Sequence, residues 1–352
     1  MEEARRIPVG DPTPWKGDEV HGGAGAEVRA LQPGTDSPPP TRKSKRVKTR
    51  QPYVPPGPVP RLGLRGLIWR LAAARLYARF GWPWLARLSA RERLRNALDD
   101  LWDLRKVRKI IVFCNSSGGS GKTTGATWFA AAAAYAFKGN VAVVDANENA
   151  GHTADRLRVS PTLTLRKLVD HRHCFRSLGR LMQETDRHRQ TGAFVIASEP
   201  TGSGIDQAGY QEALGILADN FQLVVCDCGN GLESPTNLGS VHLADELVFT
   251  GNVFKSESLD DIISTMTRYA VVGIGGEPGS EAAKRSFAAI FGASKRQRLT
   301  FAKRFGMPPA NVFVFPTNGY MADTDNPVRL DKLPLRMQVI LFESLRALMA
   351  AR

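Results

Sequence analysis

Ten residues, Asn115-Ser-Ser-Gly-Gly-Ser-Gly-Lys-Thr-Thr124, carry the most legible chemistry in this chain. An apolar, strand-like run precedes them, Lys109-Ile-Ile-Val-Phe-Cys114, and a helical one follows, Gly125-Ala-Thr-Trp-Phe-Ala-Ala-Ala-Ala-Ala-Tyr-Ala-Phe137. Strand, glycine loop and helix in that order build a cradle for phosphate. The glycines let backbone N–H groups turn inward, and the helix N-terminus adds the positive end of its dipole. Ser117, Gly118, Gly119, Ser120, Gly121, Lys122, Thr123 and Thr124 are therefore the expected nucleotide-binding residues. Lys122 would reach the β- and γ-phosphates and Thr123 would hold Mg²⁺. A Gly/Ser-rich surface loop is the plainer alternative, but it would not need the strand before and the helix after.

Two carboxylates end apolar runs elsewhere. Asp227 closes Phe221-Gln-Leu-Val-Val-Cys-Asp227 and is followed by Cys228-Gly-Asn-Gly231; Asp145 closes Asn140-Val-Ala-Val-Val-Asp145. A carboxylate at the end of a buried strand is costly unless a cation or hydrogen-bond donors meet it. Beside a phosphate loop its natural use is to order Mg²⁺, directly or through water, so Asp227 joins Thr123 as an expected metal residue. Capping the next turn is the structural alternative.

The elements that must position these groups read as an α/β chain. Apolar runs at 109–114, 140–145, 193–198, 222–227, 246–250, 287–291 and 311–316 alternate with segments long enough for helices. That rhythm predicts a P-loop domain over 107–352 with a mostly parallel sheet covered by helices on both faces. Residues 1–60 are poor in apolar side chains and rich in Pro and Gly, and read as a disordered, Pro-rich basic tail. Residues 61–106 read as a basic amphipathic helical segment. In it Leu64, Leu67, Ile68 and Leu71 recur at helical spacing, and a second helix is expected over Ser89–Arg105, with Leu94, Ala97, Leu98, Leu101 and Trp102 on one face. These helices either pack on the domain or a partner subunit, lie on a membrane surface, or contact nucleic acid.

Charge is unevenly placed. The 352 residues carry a formal net charge of +14. Residues 1–109 hold 23 Lys/Arg against 11 Asp/Glu, and from Ser37 to Arg91 there are 13 basic residues and no acidic one. An anionic partner is implied, with the stretch 42–91 as its contact: DNA, an anionic membrane or an acidic protein. No run approaches a membrane-spanning length, Met1–Arg6 lacks the apolar core of a secretory signal, and the 4 cysteines do not make a disulfide framework. A cytoplasmic protein is expected. His171, His173 and Cys174, and Cys226 with Cys228, lack the paired spacing of a zinc site.

The loop departs from G-x-x-x-x-G-K-[ST] at Ser116 and is more similar to the deviant form x-K-G-G-x-G-K-T-T of MinD/ParA-type ATPases. Gly118, Gly119, Gly121, Lys122, Thr123 and Thr124 fit that form. Ser117 stands where the family has its signature lysine, which reaches the partner's phosphates across a nucleotide-sandwich dimer. The segment Asp145-Ala-Asn147 resembles the family's D-x-D, with Asn147 at the carboxylate that positions the attacking water. The resemblance implies catalytic roles for Lys122, Asp145 and Asn147, ATP or ADP with Mg²⁺ as cofactor, and a nucleotide-dependent homodimer. Asn can hydrogen-bond a water but cannot take its proton at neutral pH, and Ser117 carries no charge, so weak or absent hydrolysis is expected. Asp155 is a substitute base to weigh, and Lys295, Arg296 and Arg298 are substitute cations.

Arg61-Leu-Gly-Leu-Arg-Gly-Leu-Ile-Trp-Arg70, and a Pro-rich tail before it, resemble the actinobacterial subgroup that accompanies type VII secretion loci. The function so implied is an ATP-binding switch that regulates or positions another assembly, peripheral to membrane or nucleoid, with a protein of a secretion or partition system as partner. A plasmid or chromosome partitioning ATPase that grips DNA through its basic N-terminal region is the alternative, and a nucleotide-binding scaffold a third.

Overall fold

The computed structural model describes residues 83–147, 151–198, 204–231, 233–272 and 286–351. The expected tail 1–60 and the first basic helix lie outside them.

All seven apolar runs are strands: β1 Lys109–Cys114, β2 Val141–Ala146, β3 Phe194–Ile196, β4 Leu223–Cys228, β5 Glu246–Asn252, β6 Ser286–Phe291 and β7 Val312–Phe315. They form one parallel sheet in the order β3-β2-β4-β1-β5-β6-β7. Helices connect them: α1 Pro83–Asp103, α2 Lys122–Ala136, α3 Thr153–Leu157, α4 Leu165–Asp170, α5 Leu178–Glu184, α6 Gln207–Asn220, α7 Pro235–Leu243, α8 Ser256–Val272, α9 Arg298–Phe305, α10 Gly319–Ala322 and α11 Leu335–Ala350.

Alternation along each strand divides the core in two. Ile110, Val112 and Cys114 of β1 join one cluster with Tyr210 of α6, Val241 of α7 and Ile262 of α8. Ile111 and Phe113 join the other with Phe129 of α2, Leu94 of α1 and Leu345 of α11. Successive side chains of a strand point to opposite faces, so a strand buried on both faces must be apolar throughout. Helix α2 lies close to the sheet because Ala130–Ala134 are small and buried, and its Phe129 ring meets Phe113 at 5.2 Å and Phe315 at 6.0 Å. Cys226 and Cys228 pack in the first cluster with Cys114.

Helix α1 begins at Pro83, earlier than the periodicity alone indicates, because proline suits the first turn of a helix. It packs on the domain. Leu94, Ala97 and Leu101 are buried, Arg93 pairs with Glu343, and Arg346 Nη1 donates to Asp100 at 2.8 Å. Trp102, expected on the packed face, is 37% exposed and lies under the cations of Arg105 and Lys138 at 4.4 and 4.5 Å. The buried Lys109 ammonium ties three elements together. It donates to Glu246 of β5 at 2.5 Å, and to the Leu348 and Ala351 carbonyls at the end of α11 at 3.1 and 2.7 Å. No described helix is long and apolar enough to cross a membrane.

His188 gives the fold a pH dependence. It is buried, its Nδ1 lies 2.8 Å from Thr191 Oγ1, and burial pushes its pKa down to about 4. A base whose folded pKa is depressed contributes stability that is complete above its unfolded value, about 6.5, and is lost as pH falls through about 4. Denaturant titrations of wild type and His188→Gln should therefore differ by an amount that changes between pH 6.5 and 4 and is constant above pH 7.

Candidate functional site

The glycine loop leaves the C-terminal end of β1, which lies between β4 and β5 in the sheet. Ligands of open parallel sheets collect at this edge. Asn115 fixes the loop from below. Its buried Nδ2 donates to the Thr250 and Ser258 carbonyls at 2.5 and 2.9 Å, and its Oδ1 accepts the Ser117 N–H at 2.9 Å. Ser120 is also buried, its hydroxyl 3.1 Å from Thr250 Oγ1. Gly121 has φ +100°, and a Cβ there would lie 2.6 Å from the Phe291 ring. Both the backbone conformation and the contact require glycine.

Lys122 opens α2 and is 7% exposed. Its ammonium reaches back along the loop, donating to the Ser117 carbonyl at 2.7 Å and to Asn230 Oδ1 at 2.6 Å. Burial lowers its pKa, and the nearby Asp227 carboxylate works against that shift. The amine is thus held over the loop where phosphate oxygens would replace its present acceptors.

Register places the two carboxylates side by side. Asp145 of β2 pairs with Asp227 of β4, and Phe113 of β1 pairs with Asp227 on its other side. Both carboxylates are buried, at 2% and 3% exposure. Thr153 donates its hydroxyl to Asp227 Oδ2 at 2.6 Å, and the Thr123 side chain lies beside the same carboxylate. Asp145 accepts the backbone N–H groups of Asn147 at 3.2 Å and Thr153 at 3.4 Å. Gly151 is packed so tightly on Asp145 that any Cβ would collide with its carboxylate. Asp227 Oδ1 is buried with no hydrogen-bond partner. Burial, followed by the Asp227 charge, raises Asp145 to about 7, and burial raises Asp227. Two adjacent buried carboxylates, one with an orphan oxygen beside a threonine hydroxyl, fit a divalent cation, so Thr123 and Asp227 are the residues that would hold Mg²⁺.

Above this floor lies a cavity of about 760 Å³, large enough for a nucleotide. Gly118, Gly119, Gly121, Lys122, Thr123 and Thr124 line it, as do Asn147 and Asp227. Asp155 also lines it, from the first turn of α3, where its exposed carboxylate is 3.6 Å from His152. Phe254, Phe291, Pro316 and Thr317 make another part of the wall. Arg156, 2% exposed, holds that wall in place by donating to the Met321 and Asp323 carbonyls at 3.0 and 3.3 Å. None of Lys295, Arg296 and Arg298 lines the cavity. They occupy the turn after β6 and the start of α9, and Arg298 Nε is spent on the Pro309 carbonyl at 2.5 Å.

Sequence reasoning named the loop and the two aspartates but missed four residues the fold brings to them: Gly151, Thr153, Asn230 and Lys255. Asn230 sat in the glycine-flanked segment after Asp227, a position suited to sensing the phosphates. Gly151 had a local signal, a glycine six residues after Asp145, whereas the Thr153 hydroxyl and Lys255 act through partners distant in sequence, Asp227 and Gly118.

No protein-family model matches the chain, and no curated protein matches it either. Solved structures do. The cell-division ATPase MinD of Pyrococcus furiosus superposes with a TM-score of 0.52 at 15% identity, over 68% of this chain and 98% of that one. A ParA-family ATPase of Chlorobium tepidum gives 0.53 at 16%, over 67% and 98%. The fold is that of the MinD and ParA ATPases. The septum site-determining protein MinD of Pyrococcus horikoshii, complexed with Mg-ADP, matches at 0.51 and 16%, over 67% of this chain and 94% of that one.

The raised carboxylate pair makes a prediction for the metal-free chain. An acid whose folded pKa is raised stabilises the fold below its unfolded value, about 4, and that contribution is lost as pH rises toward about 7. Asp145→Asn should therefore gain stability relative to wild type between pH 4 and 7, with the difference level above pH 8; a pH-independent difference would refute the pairing. Separately, Gly121→Ala should destabilise the chain by about 1–3 kcal/mol in urea titrations, from the positive φ and the Phe291 contact together.

Proposed function

We propose that this chain binds ATP or ADP with Mg²⁺ at the 117–124 loop and works as a nucleotide-dependent switch that regulates or positions another assembly. The observation that carries this reading is the convergence at one strand edge of the Lys122 ammonium, the Thr123 hydroxyl and the orphan Asp227 Oδ1. A lysine and a metal-ordering carboxylate on either side of a glycine cradle are what a polyphosphate requires. The Mg-ADP complex of the Pyrococcus horikoshii protein on the same fold supports the choice of ligand. Thr123 and Asp227 would hold Mg²⁺, which would supply positive charge against the carboxylates and the phosphates; Lys122 would orient the terminal phosphates, and Asp145 would hold the loop of Asn147 and Thr153 in place.

In this reading hydrolysis is weak or absent. Asn147 lines the cavity and can orient a water, but its amide accepts no proton. Ser117 offers the transferring phosphoryl group no charge. The switch then rests on occupancy, which would favour a homodimer or change the display of the N-terminal region.

The finer proposal is that the assembly belongs to a type VII secretion apparatus, with the protein in the cytoplasm at the periphery of the membrane. It rests on the order of Pro-rich tail, basic Trp-containing segment and phosphate loop. The second reading, a plasmid or chromosome partitioning ATPase, is favoured by the 13 basic residues without an acidic one between Ser37 and Arg91. That stretch would grip DNA through its phosphates at the nucleoid.

Single-turnover assays with labelled ATP and Mg²⁺, recording bound nucleotide beside product, test the first reading. Retained ATP with little product, and loss of binding in Lys122→Ala, are expected; turnover at about 1 s⁻¹ or faster would overturn the slow-hydrolysis part. ATP-stimulated DNA binding that weakens steeply with salt would favour the partitioning reading over the secretion one.

A further inference from the structure

We infer that Lys255 is a second phosphate-binding cation of the glycine loop, placed to meet the terminal phosphate of a bound nucleoside triphosphate. The inference rests on the nucleotide reading of the 117–124 loop and adds to it a residue from a different element.

Lys255 lies in the turn between β5 and α8. Its ammonium donates to the Gly118 carbonyl, while that of Lys122 donates to the carbonyl of the preceding residue, Ser117, at 2.7 Å. Two lysines thus cap consecutive carbonyls of one loop. Lys122 is the residue that reaches the β/γ end of a phosphate chain in such cradles, so Lys255 stands at that same end. It also lies close over Gly119, where a Cβ would sit 3.8 Å from its Nζ. The residue at this end with a free choice of charge, Ser117, brings none; its hydroxyl is bound to Asp261 of α8.

The backbone beneath Lys255 is fixed while its side chain is not. The Lys255 N–H donates to the Asn252 carbonyl at 2.9 Å, and its own carbonyl accepts the Ser258 N–H at 3.0 Å and the Ser258 hydroxyl at 2.7 Å. Asn252 and Phe254, in the same turn, line the cavity; Lys255 is not itself a lining residue, and its ammonium is joined to the site through Gly118, which is. The side chain itself is exposed, and among the described residues no carboxylate comes within ion-pair distance of it. An ammonium on a four-carbon stem, anchored at its root and bound only to one carbonyl, can exchange that acceptor for a phosphate oxygen by rotating its stem. Two like charges held over one loop also repel until an anion separates them, which favours a triphosphate over a diphosphate.

The test uses the full chain and calorimetric titration with Mg-ATP and Mg-ADP. Lys255→Ala should weaken ATP binding about tenfold and ADP binding no more than about threefold, the scale of one exposed charge-assisted hydrogen bond. Lys255→Arg, which keeps the charge, should stay within about threefold of wild type for both. Thermal unfolding of the nucleotide-free variants should match wild type. ATP affinity unchanged in Lys255→Ala, or equal losses for ATP and ADP, would overturn the inference while Lys122→Ala still abolishes binding. If wild type binds neither nucleotide, the nucleotide reading falls and takes this inference with it.

Discussion

Two carboxylates at matched register on adjacent buried strands set the terms for the rest of this structure. Asp145 and Asp227 are neighbours because β2 pairs with β4 along six residues, and a parallel pair in fixed register leaves no freedom to part them. Placing them beneath a hydrophobic sheet edge is unfavourable for both, and the surrounding groups read as responses to that cost. Thr153 donates its hydroxyl to Asp227, and backbone N–H groups of Asn147 and Thr153 turn toward Asp145. Gly151 leaves out the side chain that would occupy the Asp145 carboxylate's position. The oxygen left unpaired, Asp227 Oδ1, is where a cation would complete the set.

The phosphate loop answers with the opposite charge. It is fixed by the buried Asn115 and Ser120 to β5 and α8, and it is narrowed by Phe291 so that only glycine is accommodated at 121. A polyanion with its metal would bridge the negative floor and the positive rim, neutralising each. The wall formed by residues 316–325 is held to α3 through the Arg156 and Arg158 contacts with carbonyls of Met321, Asp323 and Asp325. Helix α3 follows directly on the segment that carries Asp145 and Asn147, so that wall and the carboxylate floor are mechanically joined.

Outside the site, helix α1 before the first strand and helix α11 after the last one close the domain. Helix α1 packs with α11 through Leu94, Ala97 and Leu101 and two ion pairs, and the end of α11 receives the Lys109 ammonium from the first strand. The part of the basic segment nearest the domain is therefore core as well as charge carrier. A helix read from its arginines alone is easily taken for a surface element, whereas its apolar stripe is committed to the fold.

The sequence by itself determined the strands, their parallel class, and the identity of the loop, because these depend on near-neighbour patterns: uninterrupted apolar runs mean strands buried on both faces, and glycine spacing before Lys122 means a cradle. It also determined Asp145 and Asp227 as candidates, since a carboxylate ending an apolar run is conspicuous. Tertiary structure alone decided that the two aspartates are adjacent, for β2 and β4 are separated by four α-helices and β3 in the chain. It alone placed the cations: Lys295, Arg296 and Lys255 are all absent from the cavity lining, but Lys255, unremarkable in sequence, ends on the carbonyl of Gly118, a lining residue, because β5 lies next to β1. Trp102 shows the same limit on a smaller scale, since helical periodicity placed it on the packed face and the cations of Arg105 and Lys138 hold it at the surface. Periodicity reports which face of an element is apolar; which partner meets that face, and which charges converge at a strand edge, follows only from sheet order.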